Sequence, residues 1–173
     1  VIDENGNVYI TGLSGDQSYS APSLRKYNRH GELVFNKRYD DSGQWSGRSF
    51  WVFLNMAIDK DGVLLISAIR STSTFGAPRP MVIIKMDQSG NILTDSRVTR
   101  TTEKQSESVD VIKVDKYNNY YYISTYGVHV NRSNSGGLSW DTANDISESY
   151  ISNKDITFDE HGNIYVITNT PNQ

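Results

Sequence analysis

The sequence predicts an all-β fold: four-stranded antiparallel sheets following one another as the blades of a β-propeller, about three and a half of them, which implies part of a larger ring. Three observations predict it. A turn motif led by Asp recurs at positions 3, 59, 115 and 159, in steps of 56, 56 and 44 residues that suit a sheet of four short strands. A second series of turns falls between these copies. The composition favours strands and turns, with 11 Tyr, 13 Gly, abundant Asn, Asp and Ser, and only 36% hydrophobic residues.

The first series supplies the opening hairpin of each blade. Its copies, residues 2–10, 57–66, 113–123 and 157–166, each read as an apolar residue, then Asp-x-x-Gly-Asn or a relative, then a strongly β-forming run. Asp opens such a turn by accepting hydrogen bonds from backbone amides just downstream, and Gly or Asn takes the left-handed conformation that closes the hairpin with a bulge. The third copy carries Asn118 at the Gly position, one of the few residues that tolerate positive φ. Val, Ile and Tyr after each turn make an inner strand.

The second series, residues 27–32, 86–91 and 131–140, follows apolar or alternating runs and joins the third strand of each blade to the fourth. The blades then span about 1–45, 50–100 and 108–143, with a half-blade at 153–173, in a single domain over 1–173. The last copy stops after its second strand. Its open strand edges call for the remaining blades of the same chain, or another copy, to pair with them.

These residues carry two resemblances. Asp3, Gly6, Asn7, Tyr9 and Gly12, followed by Leu24-Arg25-Lys26-Tyr27, resemble the repeat of the bacterial seven-bladed β-propeller family. The first blade matches well, the half-blade matches apart from Thr168 where Gly is expected, and the middle blades match loosely. Separately, Ser133-Asn134-Ser135-Gly136-Gly137-Leu138-Ser139-Trp140 is similar to the Asp-box of sialidase-type propellers, which runs Ser-x-Asp-x-Gly-x-Thr-Trp. Here Ser135 stands at the Asp position and Ser139 at the Thr position, a departure from the pattern, and the resemblance implies that Trp140 packs between blade sheets. Both motifs are architectural, so they imply a fold and no particular activity.

Charge and length exclude several partners. A net charge of -3 and a pI near 5.6, with Lys and Arg scattered, leave no electrostatic footprint for nucleic acid or an anionic membrane. No apolar run approaches the roughly 18 residues of a membrane span. The absence of Cys excludes disulfides and thiolate metal sites. The chain opens without Met and inside a motif, and so reads as a mature or fragmentary product.

In an antiparallel meander the tight turns fall at one end of each blade and the other connections at the opposite end. The long connections, residues 13–22, 40–50, 69–80, 97–108 and 141–153, make that opposite end the expected binding face. Tyr19, Trp45 and Phe75 offer flat apolar surfaces there, and Arg48 and Arg79 offer guanidinium forks for a carboxylate. Asp16, Gln17, Asp40, Asp41 and Arg70 add polar groups. The structural alternative is that each aromatic only pins its loop to a neighbouring blade.

Other chemistries fit less well. Asp59-Lys60-Asp61-Gly62 echoes a calcium loop but has Ala57 and Ala68 where ligands belong, so Asx-type turn capping accounts for it. His30, His129 and His161 are dispersed, and two of them precede a turn Gly. No Gly-x-Ser-x-Gly elbow occurs. Sialidase chemistry needs an Arg triad, a Glu-activated Tyr and an Asp acid gathered from the whole ring. Nine Arg and six Glu with no fixed centre do not supply it in half a ring. The sequence therefore predicts a non-catalytic, extracytoplasmic propeller, secreted, cell-surface or periplasmic, that binds a glycan, peptide or protein through its long-loop face without cofactor or metal. The alternatives are part of a propeller glycoside hydrolase or polysaccharide lyase, and the sensory propeller of a bacterial signalling protein.

Overall fold

The computed structural model describes residues 1–15, 20–39, 51–70, 81–97, 109–124, 127–131 and 152–169. Among them are twelve strands and no helix, so the fold is all-β as expected. The strands are β1 (Val8–Gly15), β2 (Ser20–Tyr27), β3 (Leu33–Arg38), β4 (Trp51–Ile58), β5 (Leu64–Arg70), β6 (Met81–Met86), β7 (Ile92–Arg97), β8 (Val109–Val114), β9 (Tyr120–Ser124), β10 (Gly127–Asn131), β11 (Ser152–Phe158) and β12 (Ile164–Asn169). They pair only with chain neighbours, always antiparallel, in four sheets: β1-β2-β3, β4-β5-β6-β7, β8-β9-β10 and β11-β12. Each leading Asp follows the end of a first strand, and Asp3 follows Ile2, whose bridge to Val8 extends the first sheet beyond β1.

The sheets stack in chain order. β1 and β2 rest on β4, β4 and β5 on β8, and β8 and β9 on β11. This packing explains why β5 is a continuous apolar run instead of an alternating one. Leu64, Ile66 and Ala68 face the first sheet, where they join Tyr9, Leu24, Phe53, Val82, Ile84 and Met86. Leu65 faces the third sheet and packs with Ala57, Ile83, Ile112, Tyr120 and Tyr122. Tyr121, Ile123 and Ile156 fill the last interface. Burying each Leu, Ile, Val, Phe or Met among these stabilises the fold by about 1.5–3 kcal/mol.

The first strands share an irregularity. Register shifts lie between Phe53 and Asn55, between Val109 and Val111, and between Ser152 and Asp155. In the second and third sheets the extra residue falls five positions before the leading Asp, at Leu54 and Asp110, and the shift in the fourth sheet covers the matching stretch. In the second sheet Ser67 heals the break: its Oγ accepts the Asn55 N–H at 3.1 Å and donates to the Asn55 carbonyl at 3.3 Å.

One expected long connection is short. The β1–β2 ladder continues through Leu13–Pro22 and Ser14–Ala21 to Gly15–Ser20, leaving residues 16–19 in place of 13–22. Pro22 did not stop the strand, because the β2–β3 ladder begins only at Ser23. Its carbonyl accepts the Tyr39 N–H at 2.8 Å on the side where its own missing donor would point. Three of the other four long connections are also shorter at an end than expected, since Ile69 and Arg70 belong to β5, Arg97 to β7, and Ser152 and Asn153 to β11; the rest of those connections, and the Asp-box with Trp140, lie outside the described residues.

Candidate functional site

The tight-turn end is built from six copies of one local clasp. In the first, Asp3 Oδ1 accepts the N–H groups of Asn5 and Asn7 at 3.0 and 2.8 Å, and Oδ2 accepts Asn7 Nδ2 at 2.8 Å and the Tyr9 hydroxyl at 3.1 Å. Asp115 repeats the set with Tyr117, Asn119 and Tyr121, and Asp159 repeats it with His161, Asn163 and Tyr165. In the second turn series Asp87 accepts from Ser89 and Asn91, and Asn28 accepts from His30 and Glu32. The residue before the last position of each turn has positive φ: Gly6, Gly31, Gly62, Gly90 and Gly162, with Asn118 at 69° in the third copy. Each motif is thus a turn, as its sequence predicted, and His30 and His161 are exposed turn residues.

The Asp59 turn, second of the four that open a sheet, differs. Val63 and Leu65 stand where the turns of Asp3, Asp115 and Asp159 have Asn and Tyr, so Asp59 Oδ2 has no donor within its own turn. The hydroxyl of Tyr120, from the third sheet, donates to it instead at 3.0 Å. Burial, and then this hydrogen bond, push the Tyr120 hydroxyl well above the ordinary phenol range. Burial likewise raises Asp3, but hydrogen bonds from Asn7, Tyr9 and Asn5 outweigh it and hold the carboxyl below the usual range. For Asp159 the Asn163 side chain is the leading cause of the same downward shift.

Neighbouring turns also grip one another, which puts them on one face. Lys60 N–H donates to Asn118 Oδ1 at 3.3 Å, and Asn118 Nδ2 donates to Asp61 Oδ2 at 3.2 Å. Lys116 Nζ donates to the Glu160 carbonyl. Lys26 Nζ, Lys37 Nζ and the Tyr39 hydroxyl donate to Gln88 O, Asn91 Oδ1 and Gly90 O. A recess of 300 Å³ between the first two turns is lined by Asp3, Asp59 and Asp61, but their carboxylates are engaged in these bonds.

A second concavity runs along the first strands. A groove of 410 Å³ is lined by Asn55 and Met56 of β4, Val111 and Lys113 of β8, and Asp155 of β11. Lys113 Nζ lies 3.5 Å from Asp155 Oδ1, with both side chains largely exposed. Asn55 Oδ1 accepts the Ile112 N–H at 3.3 Å and ties β4 to β8. Recurrent bulges set these side chains, since a bulge re-aims the residues beside it. The groove presents an ammonium, a carboxylate and an apolar floor, a surface able to hold a polar ligand by hydrogen bonds. Sequence reading missed Asn55, Lys113 and Asp155; the available signal was polar residues inside otherwise apolar runs, WVFLNMAI and VDVIKV.

The five residues expected to bind ligand, Tyr19, Trp45, Arg48, Phe75 and Arg79, all lie outside the described residues, as do Asp16, Gln17, Asp40 and Asp41. Among the described residues no three His, Asp or Glu side chains are grouped as a metal site would need.

No known family profile and no curated protein matches the sequence. Among solved structures, the fold is similar to a protein of unknown function from Bacteroides caccae, with a TM-score of 0.52 at 15% identity over 91% of this chain. The chain spans 53% of that protein.

Proposed function

We propose that the four stacked sheets are successive blades of a β-propeller, and that the protein is a non-catalytic, extracytoplasmic binding module whose ligand surface lies at the end opposite the tight turns. One observation carries the reading: the tight-turn end is closed by its own hydrogen bonds, so capacity for a ligand falls to the far end and to the groove between the first strands. First strand beside first strand is also how blades converge on a shared axis. The aromatic and Arg residues of the far-end connections suit a glycan, whose rings stack on Trp or Tyr and whose hydroxyls or carboxylates meet Arg and Asp.

A glycan array tests this. Wild-type protein gives signal on a restricted glycan set, and Trp45→Ala loses it. Equal signal removes Trp45 from the site, and silence of the wild type across neutral and acidic glycans removes the glycan reading in favour of a peptide or protein ligand.

A further inference from the structure

We propose that Asn5 is a modification site: its side-chain amide is lost as ammonia through ring closure onto the Gly6 nitrogen, at a rate set by how often the Asp3 clasp opens. This chemistry is independent of the ligand reading above.

Asn5-Gly6 is the one Asn-Gly pair in the sequence, and the turn itself requires its glycine. Gly6 has a φ of 78°, and a Cβ there would sit 3.1 Å from the Arg29 Cβ. A residue without Cβ leaves its nitrogen unshielded toward the preceding side chain. The position two after the leading Asp holds Asn5 here and Asp61, Tyr117 and His161 in the other turns that open a sheet. Tyr117 and His161 carry no carbonyl to attack. Asp61 carries one, but its ionised carboxylate is a poor electrophile, and Asn118 Nδ2 donates to its Oδ2 at 3.2 Å. Asn5 is exposed, and its side chain makes no hydrogen bond among the described residues.

A base takes the Gly6 amide proton and the nitrogen attacks Asn5 Cγ. The Cγ–Nδ2 bond then breaks, and the side-chain nitrogen takes up a proton and leaves as ammonia. Water opens the five-membered imide at either carbonyl, giving aspartate or isoaspartate, so no oxidant or cofactor is needed.

The closed turn blocks this attack. The Gly6 N–H donates to the Asp3 carbonyl at 3.0 Å, and an imide nitrogen carries no hydrogen, so the ring cannot form while that bond stands. The peptide must also rotate, which the bonds on both sides oppose. Asp3 Oδ1 holds the Asn5 and Asn7 N–H groups at 3.0 and 2.8 Å, and Oδ2 holds Asn7 Nδ2 and the Tyr9 hydroxyl. Ring closure therefore requires a local opening of the hairpin. Isoaspartate then lengthens the main chain by one carbon between Asp3 and Asn7. The clasp cannot re-form in register, and the buried Asp3 is left short of donors. The covalent structure thus keeps a record of the opening.

Peptide mapping by mass spectrometry after incubation at mildly alkaline pH tests this. The native wild-type chain should convert Asn5 at least about tenfold more slowly than the same chain unfolded in urea. Tyr9→Phe keeps the packed ring but removes one donor to Asp3, and should speed the native reaction about tenfold or more. Tyr121→Phe removes the matching bond from the Asp115 turn and should leave the rate at Asn5 unmoved. On ageing, the urea midpoint of the wild type should fall. Asn5→Ser, which carries the residue found at that position in the Asp87 turn, should age without change. No conversion in the unfolded chain, equal rates folded and unfolded, a Tyr9→Phe rate equal to wild type, acceleration by Tyr121→Phe to the same degree, or Asn5→Ser ageing like wild type would each overturn the proposal.

Discussion

The phenol of Tyr120 joins the second and third sheets through one atom, and Tyr120→Phe removes only that atom. The ring stays packed with Ala57, Leu65, Ile83 and Ile112, and the Lys85 ammonium stays 5.0 Å from its centroid. What is lost is the donor to Asp59 Oδ2, on a residue 7% exposed whose turn offers that oxygen no other side chain. A hydrogen bond to a charged acceptor contributes about 1.5–3 kcal/mol. With a urea slope of about 2 kcal/mol per molar, the unfolding midpoint should fall by about 1 M. A double-mutant cycle with Asp59→Asn should return a coupling of about 1.5–3 kcal/mol. Tyr165→Phe is the control, because the same bond to Asp159 at 3.1 Å is exposed and its removal should leave the midpoint unmoved. The reasoning fails if Tyr120→Phe behaves like Tyr165→Phe, or if the cycle is additive.

Three further outcomes follow from the turns and the groups that touch them. The Asp3 and Asp87 carboxyls are raised by burial but lowered more by their hydrogen bonds, so the charged form is favoured in the folded state. Their stabilisation is complete above the unfolded value of about 4 and is lost as pH falls through the lower folded values; a circular dichroism acid midpoint at pH 5 or above would contradict this. At the alkaline end burial, then the charge of Asp87, push Tyr39 up to about 12. Its contribution is complete below about 10 and disappears as pH rises toward 12, so phenolate absorbance from Tyr39 below pH 10 would refute the assignment. Among the glycines, Gly31→Ala meets nothing within 4 Å and costs only the left-handed strain of about 1–2 kcal/mol. Gly90→Ala places its Cβ 2.9 Å from the Tyr39 hydroxyl oxygen and should cost about 1 kcal/mol more by disturbing the Tyr39–Gly90 bond, read as a lower urea midpoint. Equal midpoints for the two variants would count against it.

The turns were legible in the sequence because their bonds are local. Asp3 meets all its partners by Tyr9, within seven residues, so the pattern of residue types contains the whole interaction. The strand order followed from their spacing. Tyr120 was not legible as the partner of Asp59, because that bond joins residues 61 apart and depends on how two sheets stack. The bulges were hidden for a similar reason: an extra residue such as Leu54 looks like any apolar strand residue until its partner strand is known. The end of the first connection was misread at Pro22, whose effect on a ladder depends on which edge is paired. The groove of Asn55, Lys113 and Asp155 draws one residue from each of three sheets, so no segment of the sequence contains it.

The borrowed phenol of Tyr120 has a consequence for how such a chain can evolve. The first, third and fourth clasps are self-contained, and a tandem duplication of any of them would carry its full set of partners to the new location. The second is not portable. Moved or copied ahead of a repeat with Phe or Leu at the Tyr120 position, it would leave Asp59 buried and short of a donor, so its place in the array is held by chemistry.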